Sequence, residues 1–173
     1  MSYFMVDVEA DGPIPGEYSM VCLGVVVVDP LLDRTFYGRV QPISQQWNAQ
    51  ALAISGFSRE ETLAFDDPTK VMNDLANWIH VETKGKPIFI SDNNGFDWQF
   101  VNYYFHRFLG SNPFGFSSTN LGSLYKGVVG NLSRNFKHLR LTKHTHHPLD
   151  DARGNAEALL AIAKKYDLNI RLK

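Results

Sequence analysis

The chain has 173 residues, of which 44% are hydrophobic and 20% are charged. It can therefore bury the core of one ordinary domain, and this composition excludes disordered and fibrous proteins. A formal net charge of −1 excludes long-range attraction of polyanions by the whole molecule, so contacts with nucleic acid would have to be local. We predict a single domain spanning residues 1–173.

The start of the chain shows no basic leader, and no apolar stretch approaches the length of a membrane span. Cys22 is the one cysteine, so it cannot form an internal disulfide, and packing in the core is its predicted role. The sequence therefore predicts a cytoplasmic protein that makes no membrane contact.

Three extended segments open the chain, at residues 3–8, 20–28 and 35–41. They are rich in β-branched and aromatic residues and are separated by Gly, Pro and Asp. This pattern predicts an antiparallel three-stranded meander.

Helical patterns dominate the rest of the chain. Ser58 and Glu61 have the spacing of a capping box, which predicts a short helix over residues 58–61. Asp67 and Pro68 predict the start of a helix over 68–80. A buried strand at 87–91 precedes a helix over 96–109, and further helices are predicted over 120–129 and 150–166. Together these elements predict an α/β fold with a mixed sheet flanked by helices.

Acidic residues stand at the ends of two predicted strands. Asp7 and Glu9 point to the same face of the first strand, and two such carboxylates repel each other unless a cation lies between them. Asp97 lies just inside the helix that follows the buried strand. Solvation at a strand end and the attraction of a helix N-terminus for a carboxylate are the alternative explanations for these acids.

A histidine-rich loop precedes the last predicted helix. His146 stands five residues before Asp151, so one short segment supplies a titratable base and a metal ligand. By spacing alone, the adjacent His144, His147 and Asp150 are alternatives for the same two roles. Three histidines could bind a transition metal, but the neighbouring oxygen ligands favour Mg²⁺ or Mn²⁺.

In order and spacing, these segments resemble the motifs of the DEDDh group of DnaQ-like 3′-5′ exonucleases, which includes ribonuclease T, oligoribonuclease and polymerase proofreading domains. Residues 7–12 are similar to D-x-E-x-x-G, residues 93–97 to N-x-x-F-D, and residues 146–152 to H-x-A-L-x-D-A with Pro148 in place of alanine. Two positions depart from the pattern: Asp92 stands where relatives often have histidine, and Asp11 where they commonly have threonine or alanine. Three motifs in order make a chance match improbable.

The resemblance implies a ribonuclease H-like α/β fold: an antiparallel meander continued by parallel strands and flanked by helices. It implies that two divalent ions, Mg²⁺ or Mn²⁺, bind to Asp7, Glu9, Asp97 and Asp151, and that His146 is the general base. The implied activity is metal-dependent hydrolysis of phosphodiester bonds from the free 3′ end of single-stranded RNA or DNA.

Substrate contacts are predicted beside these motifs. Asp11, Gly12, Phe96 and Trp98 are candidates, since stacking on aromatic rings holds the bases of single strands, and Trp47 is a further candidate. Core packing is the alternative for the aromatic residues, and a turn explains Gly12 equally well. Basic residues that could follow the strand's backbone are Lys126, Arg134, Lys137, His138, Arg140 and Lys143, and an ordinary solvated surface is the equal alternative for them.

The size of the chain, similar to that of ribonuclease T and oligoribonuclease, favours RNA slightly over DNA and suggests a homodimer. The alternative function is a catalytically inactive nucleic-acid-binding module on the same fold. The complete set of acids argues against it, because such a module has no physical reason to keep mutually repelling carboxylates together. A hydrolase with a nucleophilic serine or cysteine is excluded, since the chain has no G-x-S-x-G elbow.

Overall fold

A computed structural model of the chain describes residues 1–170 and 172. Five strands form one mixed sheet, and they are β1 (Ser2–Ala10), β2 (Met20–Val27), β3 (Thr35–Arg39), β4 (Pro87–Ser91) and β5 (Ser118–Asn120). Their order in the sheet is β3-β2-β1-β4-β5. β2 is antiparallel to β1 and β3, whereas β4 is parallel to β1 and β5.

Six α-helices accompany the sheet within the described residues, and they are α1 (Ala49–Ile54), α2 (Arg59–Leu63), α3 (Pro68–Glu82), α4 (Asn94–Leu109), α5 (Leu121–Val129) and α6 (Pro148–Lys165). A 3₁₀ helix spans Lys137–Leu139. Among the residues that the structure describes, no helix is long and apolar enough to cross a membrane.

Helices cover both faces of the sheet, so the hydrophobic core has two halves. On one face, α3 and α4 pack on the sheet through buried side chains that include Leu75 and Tyr104. On the other face, α5 and α6 do so through side chains that include Tyr125 and Leu159. β2 lies between these layers and is buried along its whole length, as expected for a strand covered on both faces.

The predicted meander and the mixed sheet are confirmed. The capping box of α2 is present, because the Ser58 hydroxyl accepts from the Glu61 amide and the Glu61 carboxylate accepts from the Ser58 amide. Asp67 caps α3, and Pro68 occupies its first turn. The structure adds α1 and β5, which the sequence pattern did not predict.

Candidate active site

Asp7 and Glu9 lie on β1, the central strand of the sheet. Val6 and Val8 point into the core beneath α3 and α4, whereas Met5 packs on the opposite face. Because side chains alternate along a strand, Asp7 and Glu9 share the face of Met5, which is the face covered by α6. The paired acids of the first motif therefore point towards the helix that carries the third motif.

Asp151 lies in the first turn of α6 and is 1% exposed. Its Oδ1 accepts from the Arg140 guanidinium at 2.8 Å and from the Thr145 amide at 3.2 Å. Its Oδ2 accepts from the His146 amide at 3.1 Å and lies 2.7 Å from His144 Nδ1. Three hydrogen-bond donors, the Arg140 guanidinium and the amides of Thr145 and His146, thus hold this carboxylate in place.

Asp7, Glu9 and Asp151 each offer a carboxylate oxygen, and these oxygens lie within 4.8 Å of one another. Burial, followed by the neighbouring charges of Asp97 and Glu9, raises the pKa of Asp7 well above its ordinary value. Burial and Asp151 raise the pKa of Glu9 to about 7. A divalent cation would relieve this repulsion, and a donor set made of oxygens fits Mg²⁺ or Mn²⁺.

Asp97 lies in the first turn of α4 and is 3% exposed. Its Oδ1 accepts a hydrogen bond from the Val8 amide at 3.1 Å, which ties α4 to β1 between Asp7 and Glu9. Burial raises the pKa of Asp97 to about 8. Asp97, the fourth predicted acid, thus lies next to β1, but the group of oxygens within 4.8 Å of one another consists of Asp7, Glu9 and Asp151 without it.

The histidine loop is fixed at both ends. His146 has a φ of 60°, a conformation that is uncommon for a residue other than glycine, and the bond from its amide to Asp151 supports that conformation. His146 Nδ1 lies 3.9 Å from Glu9 Oε1, and half of the side chain is exposed. His147 stacks on Tyr37 of β3 at a ring separation of 5.0 Å. His146 is therefore held beside the acids with access to solvent.

Two glycines let the segments of this site approach each other. A Cβ on Gly24, which pairs with Asp7 across the strands, would lie 2.4 Å from the backbone of Pro148. A Cβ on Gly154 would lie 2.5 Å from Arg140 Nε. Sequence patterns gave no signal for either contact, because each depends on segments that are distant along the chain.

A groove of about 410 Å³ adjoins the acids and is lined by Glu9, Gly12 and Phe96 together with residues of α1. The exposed Ile54 and Gln50 of α1 form part of this lining. This wall was not predicted from the sequence, because α1 was not predicted. The asparagine cap at Asn48, followed by strong helix formers, was the available signal.

Two predicted substrate contacts, Asp11 and Trp98, lie outside the groove. The Asp11 carboxylate is fully buried, pairs with Arg59 at 2.9 Å and accepts from the Ser19 amide. Trp98 packs edge-on against Phe89 in the core, at a ring separation of 5.0 Å. Neither side chain lines the groove, so the structure does not place these two candidates beside Gly12 and Phe96 there.

Five of the six predicted basic residues line two separate cavities. Lys137, Arg140 and Lys143 line a groove of about 250 Å³ that also includes a histidine of the active-site loop. Arg140 is the exception among them, because its side chain is 7% exposed and is bonded to the acid of α6. Arg134 and His138 line a separate cavity of about 540 Å³.

Comparisons with known proteins agree with this geometry. A family model described as the 3′-5′ exoribonuclease Rv2179c-like domain matches residues 2–163. The chain is 37% identical to the 3′-5′ DNA exonuclease Cap18 of Escherichia coli over 174 residues, which covers 94% of this chain and 91% of that protein.

Solved structures share the fold. The nuclease domain of 3′hExo bound to rAMP, described as a DEDDh family member, has a TM-score of 0.72 and 17% identity, over 99% of this chain and 96% of that one. Exonuclease I of E. coli, in complex with a dT13 oligonucleotide, has a TM-score of 0.71 and 14% identity, over 96% of this chain and 41% of that one.

Fold, acids and relatives together define a metal-dependent 3′-5′ exonuclease, a hydrolase of phosphodiester bonds. Within that class, the chain belongs to the family of the 3′-5′ exoribonuclease Rv2179c-like domain.

Proposed function

We propose that the protein shortens single-stranded nucleic acid stepwise from its free 3′ end, with two divalent ions held by Asp7, Glu9, Asp97 and Asp151 and with His146 as general base. The observation that carries the proposal is the spacing of three acid oxygens from β1 and α6, which lie within 4.8 Å of one another, and one of these acids, Glu9, also lines a groove. The ions, when bound, would supply charge neutralisation of the scissile phosphate and lower the pKa of the attacking water.

In this proposal His146 accepts the proton of the attacking water. Histidine suits this task because its ordinary pKa lies near neutral pH. The hydrogen bond from the His146 amide to Asp151 fixes the backbone of the loop, and His146 Nδ1 lies 3.9 Å from Glu9 Oε1, so the imidazole lies beside the acids. Water attacks the phosphorus, the bond from phosphorus to the 3′ oxygen breaks, that oxygen takes a proton from solvent to become the new 3′-hydroxyl, and a nucleoside 5′-monophosphate is released.

The groove would hold the terminal nucleotide. Phe96 and Ile54 offer apolar surface to a base, and Gly12 lines the same groove. A Cβ on Gly12 would lie 2.0 Å from the Tyr18 ring, so the glycine is needed for packing against Tyr18. Lys137 and Lys143 line the neighbouring groove and would contact upstream phosphates. Burial raises the pKa of Asp92, while nearby cations that include Lys137 oppose that rise, so this acid is embedded in the same basic surface.

RNA is the polymer that we propose as preferred. The family description names an exoribonuclease, and the chain has the size of small stand-alone exoribonucleases. The E. coli relative is described as a DNA exonuclease, so preference for DNA is the competing outcome. The two polymers differ at the 2′-hydroxyl, and matched RNA and DNA oligonucleotides of one sequence isolate that difference.

The test uses 5′-labelled single-stranded RNA and DNA with Mg²⁺, Mn²⁺ or a chelator, beside the variants Asp7→Asn and His146→Ala. We expect a ladder that shortens stepwise, depends on the metal and is lost in both variants. Asp33→Asn, which removes an exposed acid of the β2–β3 turn, is the matched control and should cleave as the parent does. No cleavage of either polymer with either metal would overturn the proposal in favour of an inactive binding module.

A homodimer and a cytoplasmic location both stay predictions. Exposed apolar side chains, such as Phe116 at 91% and Leu141 at 85% exposure, offer surface for self-association. Sedimentation analysis across a range of concentrations would test the dimer, and a single species with the mass of one chain would contradict it.

A further inference from the structure

We propose that His144, His146 and Asp151 form a second metal site, which takes a borderline transition ion such as Zn²⁺ and thereby inhibits the enzyme. The inference rests on the proposed function only for the inhibition, because it requires His146 to be the general base. The binding itself rests on the three side chains.

The three side chains already converge. Each offers one ligand atom, and these atoms lie within 4.8 Å of one another. His144 Nδ1 is 2.7 Å from Asp151 Oδ2, and the two imidazole rings are 4.2 Å apart. Around a tetrahedral zinc ion with ligand distances of about 2.0–2.1 Å, neighbouring ligand atoms lie about 3.3 Å apart. Small side-chain rotations would therefore reach this geometry.

The loop permits those rotations and gives the ion access. The His144 and His146 side chains are 52% and 49% exposed, so both can turn without disturbing the core. The Asp151 carboxylate, by contrast, is held in place by bonds from Arg140 and from two backbone amides. One fixed ligand and two adjustable ligands suit capture of an ion from solution.

The surrounding charges favour binding of a cation at Oδ2 of Asp151 over binding at Oδ1. The Arg140 guanidinium, which repels cations, is bonded to Oδ1, whereas Oδ2 faces the two histidines. Glu9 Oε1 adds a negative charge 3.9 Å from His146 Nδ1. A cation there would lie between His144 Nδ1 and Asp151 Oδ2, and both atoms must be free of protons to bind it.

The two groups of ligands would select different ions. Asp7, Glu9 and Asp151 provide oxygens alone, which hard Mg²⁺ prefers, whereas imidazole nitrogens suit Zn²⁺. Both groups share Asp151, so ions in the two sites would compete for one carboxylate. An ion bound to His146 also removes the lone pair that accepts the proton of the attacking water. Zinc should therefore inhibit cleavage that magnesium supports.

The experiment titrates chelator-treated full-length protein with Zn²⁺ by calorimetry, and it compares the parent with His144→Gln and His80→Gln. His80 is an exposed histidine on α3 and serves as the matched control. A parallel assay adds Zn²⁺ to the magnesium-supported reaction of each protein, with every rate normalised to that protein's zinc-free rate. Absorption by Co²⁺ in place of Zn²⁺ reports nitrogen ligation.

We expect His144→Gln to weaken zinc binding about tenfold or more, to raise the half-inhibiting zinc concentration by the same factor and to change the Co²⁺ spectrum. His80→Gln should leave all three unchanged. Equal zinc affinity in the parent and His144→Gln, or zinc that supports cleavage as well as magnesium does, would overturn the inference. If magnesium supports no cleavage at all, the proposed function fails, while calorimetry still decides whether the zinc site exists.

Discussion

The close approach of Gly24 to α6 allows a sharp prediction. A Cβ at this position would lie 2.4 Å from the carbonyl carbon of Pro148 and 2.5 Å from the amide nitrogen of Leu149, whereas ordinary contacts begin at 3.4 Å. Gly24→Ala therefore forces one of two backbones to move by about 1 Å. Because Asp151 lies in the same helical turn and Gly24 pairs with Asp7, that movement separates the acids.

The expected effect has two parts. Overpacking of this kind costs about 1–3 kcal/mol of unfolding free energy, which lowers the melting temperature by about 2–4 °C per kcal/mol in a domain of this size. Misplacement of a catalytic group by about 1 Å costs about 10²-fold in rate. Thermal unfolding measures the loss of stability. The turnover rate is measured well below the melting temperature, where the protein is folded.

A matched glycine separates this effect from a general intolerance of alanine. Gly127 lies in α5, and a Cβ there would meet no atom within 4 Å. Gly127→Ala should keep full turnover and add about 0.5–1 kcal/mol of stability. Unchanged turnover and unchanged unfolding in Gly24→Ala would refute the reasoning, because the clash would then be absorbed without moving α6.

Three further predictions concern the buried charges. Asp11→Asn should cost about 3–5 kcal/mol in urea unfolding, because it leaves a largely buried arginine without its partner; a raised KM with unchanged stability would instead favour substrate contact. In chelator, stability should fall as the pH rises from about 4.5 towards 8. The folded protein binds Glu9 and Asp97 protons more tightly than the unfolded chain does, with pKa values of about 7 and about 8, so a melting temperature that rises over this range would contradict the shifts. Arg140→Met should lower the melting temperature more in chelator than in Mg²⁺, because bound metal then neutralises the charge of Asp151 in place of the arginine. An equal fall in melting temperature under both conditions would contradict this.

Much of the fold was predictable because its signals are local. The meander follows from β-branched runs between Gly, Pro and Asp, and α3 follows from Asp67 and Pro68 at its start. α1 escaped prediction because it has six residues and buries only Leu52, which is too little to produce a hydrophobic period. β5 has three residues, and its pairing with β4 decides its conformation more than its own sequence does.

The candidate site likewise has a part that local sequence predicts and a part that it does not. The spacing of acids within β1 and within the third motif placed Asp7 and Asp151 on the correct elements. The partners of those acids were not predictable, since they depend on approaches between distant segments. Arg140 illustrates this limit: its charge suggested contact with phosphates, whereas its side chain is enclosed beside Gly154 and bonded to Asp151.

The central position of β1 has a consequence for the order of events during synthesis. The strand that carries Asp7 is made first, yet its parallel neighbour β4 follows about eighty residues later, and α6 is made last of the elements described here. Contacts so distant along the chain form slowly, because long loops must close first. A nascent chain thus displays Asp7 and Glu9 long before Asp151 can join them, and nuclease activity would begin only when α6 docks.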